Sequence, residues 1–310
     1  MKNQTIRQAA KPINGRNRGM ALSLSSQILW GLAGNVGEYL FKTTTITVGW
    51  LVGFRLITAG LILLTFLGVT RGWHALTAIW HDWRSATILV LFSIFAMLGI
   101  QLTYFTTISY SNAATATVLQ FTSPVLVIGF LAITHRQWPS RIDLVTVLVA
   151  VLGTFLLITG GDVHTLSISV LALIWGLLTA ASDAVYILLP KKILARYGAA
   201  PVVAWSFLIG GLVMNLIHPL WIGWPSFSWS LFWIMVFMVV PATVFAYMME
   251  LQSIPLLRPE MVSILQAAEP IAATLVAVAF MGVHFNLIAS FGIVLVIMTV
   301  FIQAMPQRER

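Results

Sequence analysis

Cysteine is absent from the chain, which excludes disulfides, thiolate nucleophiles and Cys-based metal sites. Charge is nearly as scarce. Only 8% of residues are Asp, Glu, Lys or Arg, against about 25% in a soluble domain. With 59% hydrophobic residues and a mean hydropathy of +0.94, that scarcity excludes an ordinary soluble domain and leaves a membrane-embedded one. No GxxxxGK[ST] phosphate loop is present, so the chain does not drive itself with its own ATP hydrolysis. HExxH and GxSxG are missing too, and no cofactor or enzyme activity is implied. His135, His164, His218 and His284 fall in or near connections without the paired spacing of a metal site, so no metal is assigned. No AxA-like cleavage site follows the first apolar run, which reads as a retained anchor.

A spanning helix needs about 20 mostly apolar residues. Ten runs qualify: 19–40, 46–69, 85–105, 112–133, 142–160, 167–189, 200–219, 230–252, 259–281 and 286–305. The longest connection, 70–84, mixes Trp73, Trp80 and Trp83 with Arg71, His74, His81 and Arg84, the composition of an interfacial belt. Residues 1–18 read as a disordered, basic cytoplasmic tail and 306–310 as a short cytoplasmic C-terminal one. The net charge of +8 needs no nucleic-acid partner. With the N-terminus inside, 15 Lys and Arg fall on the inner side, Lys42 alone on the outer side, and Arg55 within the second run. Under the positive-inside rule both termini are cytoplasmic.

Two stretches share one grammar. Leu119-Gln120-Phe121-Thr122-Ser123-Pro124 and Leu265-Gln266-Ala267-Ala268-Glu269-Pro270 align at an offset of 146, and Trp30-Gly31 aligns with Trp175-Gly176 at 145. Two nearly equal offsets across two helix pairs indicate a five-helix unit used twice, 19–160 and 161–305. Five is odd, so the second copy enters the membrane from the opposite side. The expected fold is an all-α integral membrane protein of ten transmembrane helices in two inverted repeats, a recurring plan of secondary transporters with binding near the midplane.

At 1.5 Å per residue, Glu269 lies about 15 Å beyond Pro259 and Pro124 about 18 Å beyond Asn112, both near the middle of a core about 30 Å thick. Pro124 and Pro270 each remove a helix hydrogen bond, and the carbonyls freed are those of Gln120 and Gln266. The kinked helices are expected to face each other across a cavity, the bland alternative being kinks packed against neighbours. Glu269 is an intramembrane acid, a functional-site candidate by default. It is either a proton-exchanging group or the ion-pair partner of Arg55, which lies at a compatible depth. Glu38 and Asp183 each follow the repeated Trp by eight residues. They read as paired gate acids, or as end-of-helix acids, Glu38 then bridging Lys42 at i+4. Glu250 is expected to pair with Arg258. Gln101 and Tyr104, with Trp30 and Trp175, are candidates for the polar and aromatic walls of a ligand site; aromatic packing is the alternative.

The Leu-Trp-Gly of the first run, Gly53–Gly60, the stretch 111–124 and Glu269-Pro270 resemble the EamA-type, ten-helix branch of the drug/metabolite transporter superfamily, and within it the bacterial YicL-like members. The resemblance covers about residues 19–305. It implies two inverted halves, a central cavity walled by helices 1–4 and 6–9, and helices 5 and 10 outside. Where many members carry Lys late in helix 1, this chain has Glu38. The resemblance further implies a secondary transporter of the plasma membrane that moves a small organic metabolite, an amino acid or related amphipathic solute, outward by alternating access. Import of a nucleoside, sugar or vitamin-like solute is the alternative, and a lipid-acting membrane enzyme a more distant one. Membrane lipid and a small-molecule substrate are the expected partners. Proton coupling against facilitated diffusion, and monomer against homodimer, stay open.

Overall fold

Helix-forming apolar runs punctuated by capping residues set the architecture. The computed structural model describes residues 13–135, 140–165, 169–281 and 286–304. Lys2, Arg7 and Lys11 of the basic tail, Arg136, His284 and the 306–310 tail lie outside them. The described residues contain no strand. Their long helical stretches are α1 (Ile13–Thr43), α2 (Val48–Arg71), α3 (Trp83–Tyr110), α4 (113–135, as Ala113–Gln120 and Ser123–His135), α5 (Arg141–Thr159), α6 (Val170–Leu188), α7 (Ala199–Ile217), α8 (Trp229–Ser253), α9 (259–281, as Pro259–Leu265 and Ala268–Met281) and α10 (Leu287–Ala304). Among the described residues six stretches are long and apolar enough to cross a membrane: α2, α3, residues 115–134 of α4, α6, α7 and α8.

A Ser, Thr, Asn or Asp starts most of these helices. Thr47, Asn112, Ser140, Ser169 and Ser228 each accept a hydrogen bond from the amide three residues on, satisfying one otherwise orphaned donor. The expected 1–18 tail is corrected at its inner end. Residues 13–18 are already helical, because nothing after Pro12 breaks the helix. The 70–84 connection is not irregular either. It holds two short helices, Trp73–Thr77 and Ala78–His81. Asp82 then bonds Ser85 and forms a 2.5 Å ion pair with Arg196, which lies in the connection between α6 and α7. The Ser85 hydroxyl first, then the Arg84 amide and Arg196, hold the Asp82 carboxyl below its ordinary value.

The packing is self-consistent under exchange of the chain's two parts. α2 packs on α7 and α5 on α10, while α1 packs on α8 and α9 just as α6 packs on α3 and α4. Replacing each helix by the one five places away returns the same set of pairs. Two irregularities are duplicated in the same way. α3 carries a π-helical segment at Phe92–Leu98 and α8 another at Val240–Phe245. α4 breaks at Phe121-Thr122 and α9 at Gln266-Ala267.

The glycine of each Trp-Gly lets α1 or α6 reach a broken helix. A Cβ on Gly31 would lie 2.5 Å from the Glu269 carbonyl oxygen and 2.9 Å from the Ala273 amide, and one on Gly176 would collide with Leu119. Glycines also seat the self-paired contacts. Gly60 meets the backbone of Leu208 while Gly211 meets that of Ile57, and Gly153 faces Gly292. Small residues permitting close backbone approach are the usual means of helix association in lipid.

Gly31→Ala is therefore expected to destabilise by about 1–3 kcal/mol, as overpacking does. Gly129→Ala, whose Cβ would meet nothing within 4 Å, is expected to be neutral or to stabilise by up to about 1 kcal/mol. Thermal unfolding of the detergent-purified variants, followed by tryptophan fluorescence, checks the contrast; equal melting temperatures would remove Gly31 as a packing requirement.

Candidate functional site

Seven helices converge on one central cavity of about 460 Å³, counted out into its open mouth. α1 contributes Trp30 and Gly34, α2 Arg55, α3 Gln101, Tyr104 and Phe105, α4 Gln120, α6 Asp183, α8 Tyr247 and α9 Glu269. Seven of the residues singled out in the sequence meet here: Trp30, Arg55, Gln101, Tyr104, Gln120, Asp183 and Glu269. The aromatic wall is continuous. The Trp30 and Tyr247 rings meet edge-on at 4.7 Å, and Tyr186 packs against both. On another wall the Tyr104 hydroxyl lies 3.2 Å from Thr117 Oγ1 of α4.

Asp183 joins the two broken helices. Its Oδ2 accepts from Ser123 Oγ at 2.5 Å and its Oδ1 from Gln266 Nε2 at 2.9 Å. Ser123 opens the second segment of α4, and Gln266 sits in the break of α9. All three side chains are buried. Gln266 bonds Asp183 and does not line the cavity. Its carbonyl is not left free either: the Glu269 amide bonds it at 2.9 Å, a tight i+3 contact that replaces the donor lost at Pro270. Pro124 and Pro270 follow the breaks by two and three residues.

The expected Arg55–Glu269 ion pair does not form. Arg55 Nε and Nη2 donate to Thr243 Oγ1 at 3.0 and 2.8 Å, and the guanidinium lies 5.0 Å from the Phe105 ring centroid. Thr243 can receive it because the π-helical turn of α8 reorients that residue; its own hydroxyl bonds the Met238 carbonyl five residues back. Among the described residues Arg55 Nη1 has no partner, nor do the Trp30 indole N–H and both amide atoms of Gln101. Among the described residues no group hydrogen-bonds or ion-pairs with the Glu269 carboxyl, although Glu269 is only 4% exposed. Unpaired buried charge is expensive. A cavity that gathers a carboxyl, a guanidinium N–H, an indole N–H and an amide without partners is equipped to satisfy a polar guest.

Three further expectations change. Glu38 and Asp183 occupy unlike surroundings. Glu38, outside the cavity, bridges Lys42 at 2.6 Å, the i+4 alternative, and its other oxygen accepts from the Ala113 amide at 2.8 Å. Trp175 is half-buried and does not line the cavity. Glu250 does not pair with Arg258. It is buried against Ser23 and Ser26 of α1, while Arg258 reaches Asp143 at 3.5 Å; counting residues from a helix end gives depth but not the face. Tyr247 and Thr243 were missed. Pro241 within an apolar run was the signal for the irregular turn that aims them. The matching turn at Phe92–Leu98 has no such marker.

Two stretches, residues 17–159 and 170–305, match the model of the EamA-like transporter family. The chain is 34% identical over 293 residues to the uncharacterized inner membrane transporter YicL of Salmonella typhimurium, covering 94% of this chain and 97% of that one. It is 28% identical over 225 residues to the threonine/homoserine exporter RhtA of Escherichia coli K12, covering 71% and 73%. A solved crystal structure superposes with a TM-score of 0.74 over 93% of this chain and 96% of its own, at 17% identity, which shows a shared fold.

The Asp183 junction makes a quantitative prediction. In a double-mutant cycle, Asp183→Ala and Gln266→Ala are expected to couple by about 1–3 kcal/mol, the range for a buried hydrogen bond to a carboxyl. SDS-driven unfolding of the four proteins measures it; additive losses would mean that the contact does not hold the helices together.

Proposed function

The chain belongs to the EamA-like transporter family, and from that premise we propose that this multi-pass membrane transporter exports a small zwitterionic metabolite, an amino acid or a close relative. Transport runs by alternating access through the central cavity. The observation that carries this reading is the separation of Glu269 and Arg55, which line one cavity without pairing. Glu269 takes the substrate ammonium, and the free Nη1 of Arg55 takes its carboxylate. Both charges are then compensated only while the guest is bound, which makes binding selective for a zwitterion over a neutral sugar. Gln101 supplies a neutral donor and acceptor, and the Trp30–Tyr247 wall accepts the apolar part of the side chain. The likeness to an exporter of threonine and homoserine favours both the substrate class and the outward direction.

In this reading all ten long helices span, in two inverted halves (19–160 and 161–305) with both termini cytoplasmic. The Lys and Arg distribution supports the orientation, and the exchange-invariant packing supports the repeat. The breaks in α4 and α9 are the hinges at which one half tilts against the other.

Proteoliposomes loaded with labelled L-threonine test the proposal by counterflow. Wild type is expected to exchange L-threonine. Glu269→Gln and Arg55→Gln are each expected to slow exchange at least tenfold, about 1.4 kcal/mol, while keeping a cooperative melt. Wild-type rates in both variants, or exchange of an uncharged sugar in place of amino acids, would overturn it.

A further inference from the structure

A second acid is buried outside the cavity. Glu250 of α8 has no exposed surface, and neither have the α1 side chains it faces, Ser23, Ser26 and Gln27. Ser23 Oγ lies 3.2 Å from Oε1 and Ser26 Oγ 2.5 Å from Oε2. The Gln27 amide sits beside the same carboxyl, yet neither its nitrogen nor its oxygen completes a hydrogen bond. Among the described residues no Lys, Arg or His pairs with Glu250. The titratable groups that interact electrostatically with it are Asp183 and Tyr186 of α6 and Glu269 of α9, and Tyr247 lies one turn back on its own helix. α7, which also packs on this part of α8, carries no charged or titratable side chain. The charges of α1 itself, Arg16, Arg18, Glu38 and Lys42, lie more than a turn from Ser23 and Gln27 along the helix.

Ser26 Oγ lies 2.7 Å from the Ser23 carbonyl oxygen as well as 2.5 Å from Glu250 Oε2. A hydroxyl has one hydrogen, and two acceptors compete for it. If that hydrogen goes to the carbonyl, the short contact with Oε2 needs a hydrogen from the carboxyl. We propose that Glu250, with Ser23, Ser26 and Gln27, forms a proton-binding site separate from the substrate cavity.

In the loaded state the neutral carboxyl donates from Oε2 to Ser26 Oγ, and Ser26 donates to the Ser23 carbonyl. On release the Oε2–H bond breaks, the electron pair stays on the carboxylate, and the proton passes to water that reaches Oε2 when α1 and α8 part. Ser26 then turns its hydrogen to Oε2, and the partnerless Gln27 Nε2–H supplies a further donor. The cluster therefore has hydrogen-bond partners for both states.

Its place in the fold couples it to the cavity. Gln27 precedes Trp30 on α1 by three residues, and Glu250 follows Tyr247 on α8 by three. The acid cluster and the Trp30–Tyr247 wall are thus successive turns of one seam. Loading or release at Glu250 shifts that seam and with it the cavity wall. What the proton drives rests on the transport reading above; the existence of the site does not.

Infrared difference spectroscopy of the reconstituted full-length protein, between alkaline and acidic buffer and without substrate, tests the site. A neutral-carboxyl C=O component is expected in wild type, lost in Glu250→Gln and kept in Glu269→Gln. Ser26→Ala, which removes the acceptor, is expected to move that component to higher frequency, and it decides the matter if Glu250→Gln does not fold. A spectrum unchanged by both substitutions at the site, or a component abolished by sodium chloride at fixed pH, would overturn the proposal, the latter in favour of a sodium site. In a second arm, a gradient of about one pH unit is expected to accelerate L-threonine flux in wild type, with a steady-state accumulation of at most about tenfold for one proton exchanged, and not in Glu250→Gln. Equal acceleration in both would also overturn it. Absence of any L-threonine flux in wild type would remove the amino-acid reading and leave the infrared result standing.

Discussion

One carboxyl group holds together the two places where helices are broken. Asp183 bonds Ser123 at the restart of α4 and Gln266 in the break of α9. Broken backbone at membrane depth is tolerated only where protein or water satisfies it, and here a third helix, α6, brings the partner. The cavity depends on this arrangement, because Gln120 and Glu269 reach it from either side of those breaks. Straight α4 and α9 would carry both side chains round their helices and leave Asp183 without its two donors.

The irregular turns in α3 and α8 have a related role. A π-helical turn inserts a residue and rotates everything beyond it, and such turns concentrate at functional sites. In α8 the turn offers Thr243 to Arg55 and sets Tyr247 against Trp30. In α3 it precedes Gln101 and Tyr104. The regular helices supply closeness instead. Gly31 and Gly176 bring α1 and α6 against the broken helices, and paired glycines seat α2 on α7 and α5 on α10.

The helical plan was legible because hydrophobic length and capping residues are local properties, and the internal offset of 146 exposed the matching breaks. Seven of the cavity's residues were also legible, since an acid, an amide or an arginine in an apolar run has few reasons to be there. Pairing was not. Arg55 and Glu269 share a depth, but their partners depend on helix rotation, which Thr243 and the irregular turn in α8 set. Glu250 and Arg258 are eight residues apart, yet the α1 hydroxyls claim the first and Asp143 approaches the second. Phe92–Leu98 left no mark, because its residues suit a regular helix equally well.

The repeat is exact in outline and unequal in its acids. Two identical inverted halves would place the two access states of a transporter at the same free energy, since a two-fold rotation would turn one state into the other. Here the acid eight residues beyond the first Trp-Gly tryptophan closes a surface bridge to Lys42, whereas its counterpart bolts two helices together in the interior. Contacts made in only one half remove that degeneracy, and position 183 is where this chain's two halves differ in the bonds they make.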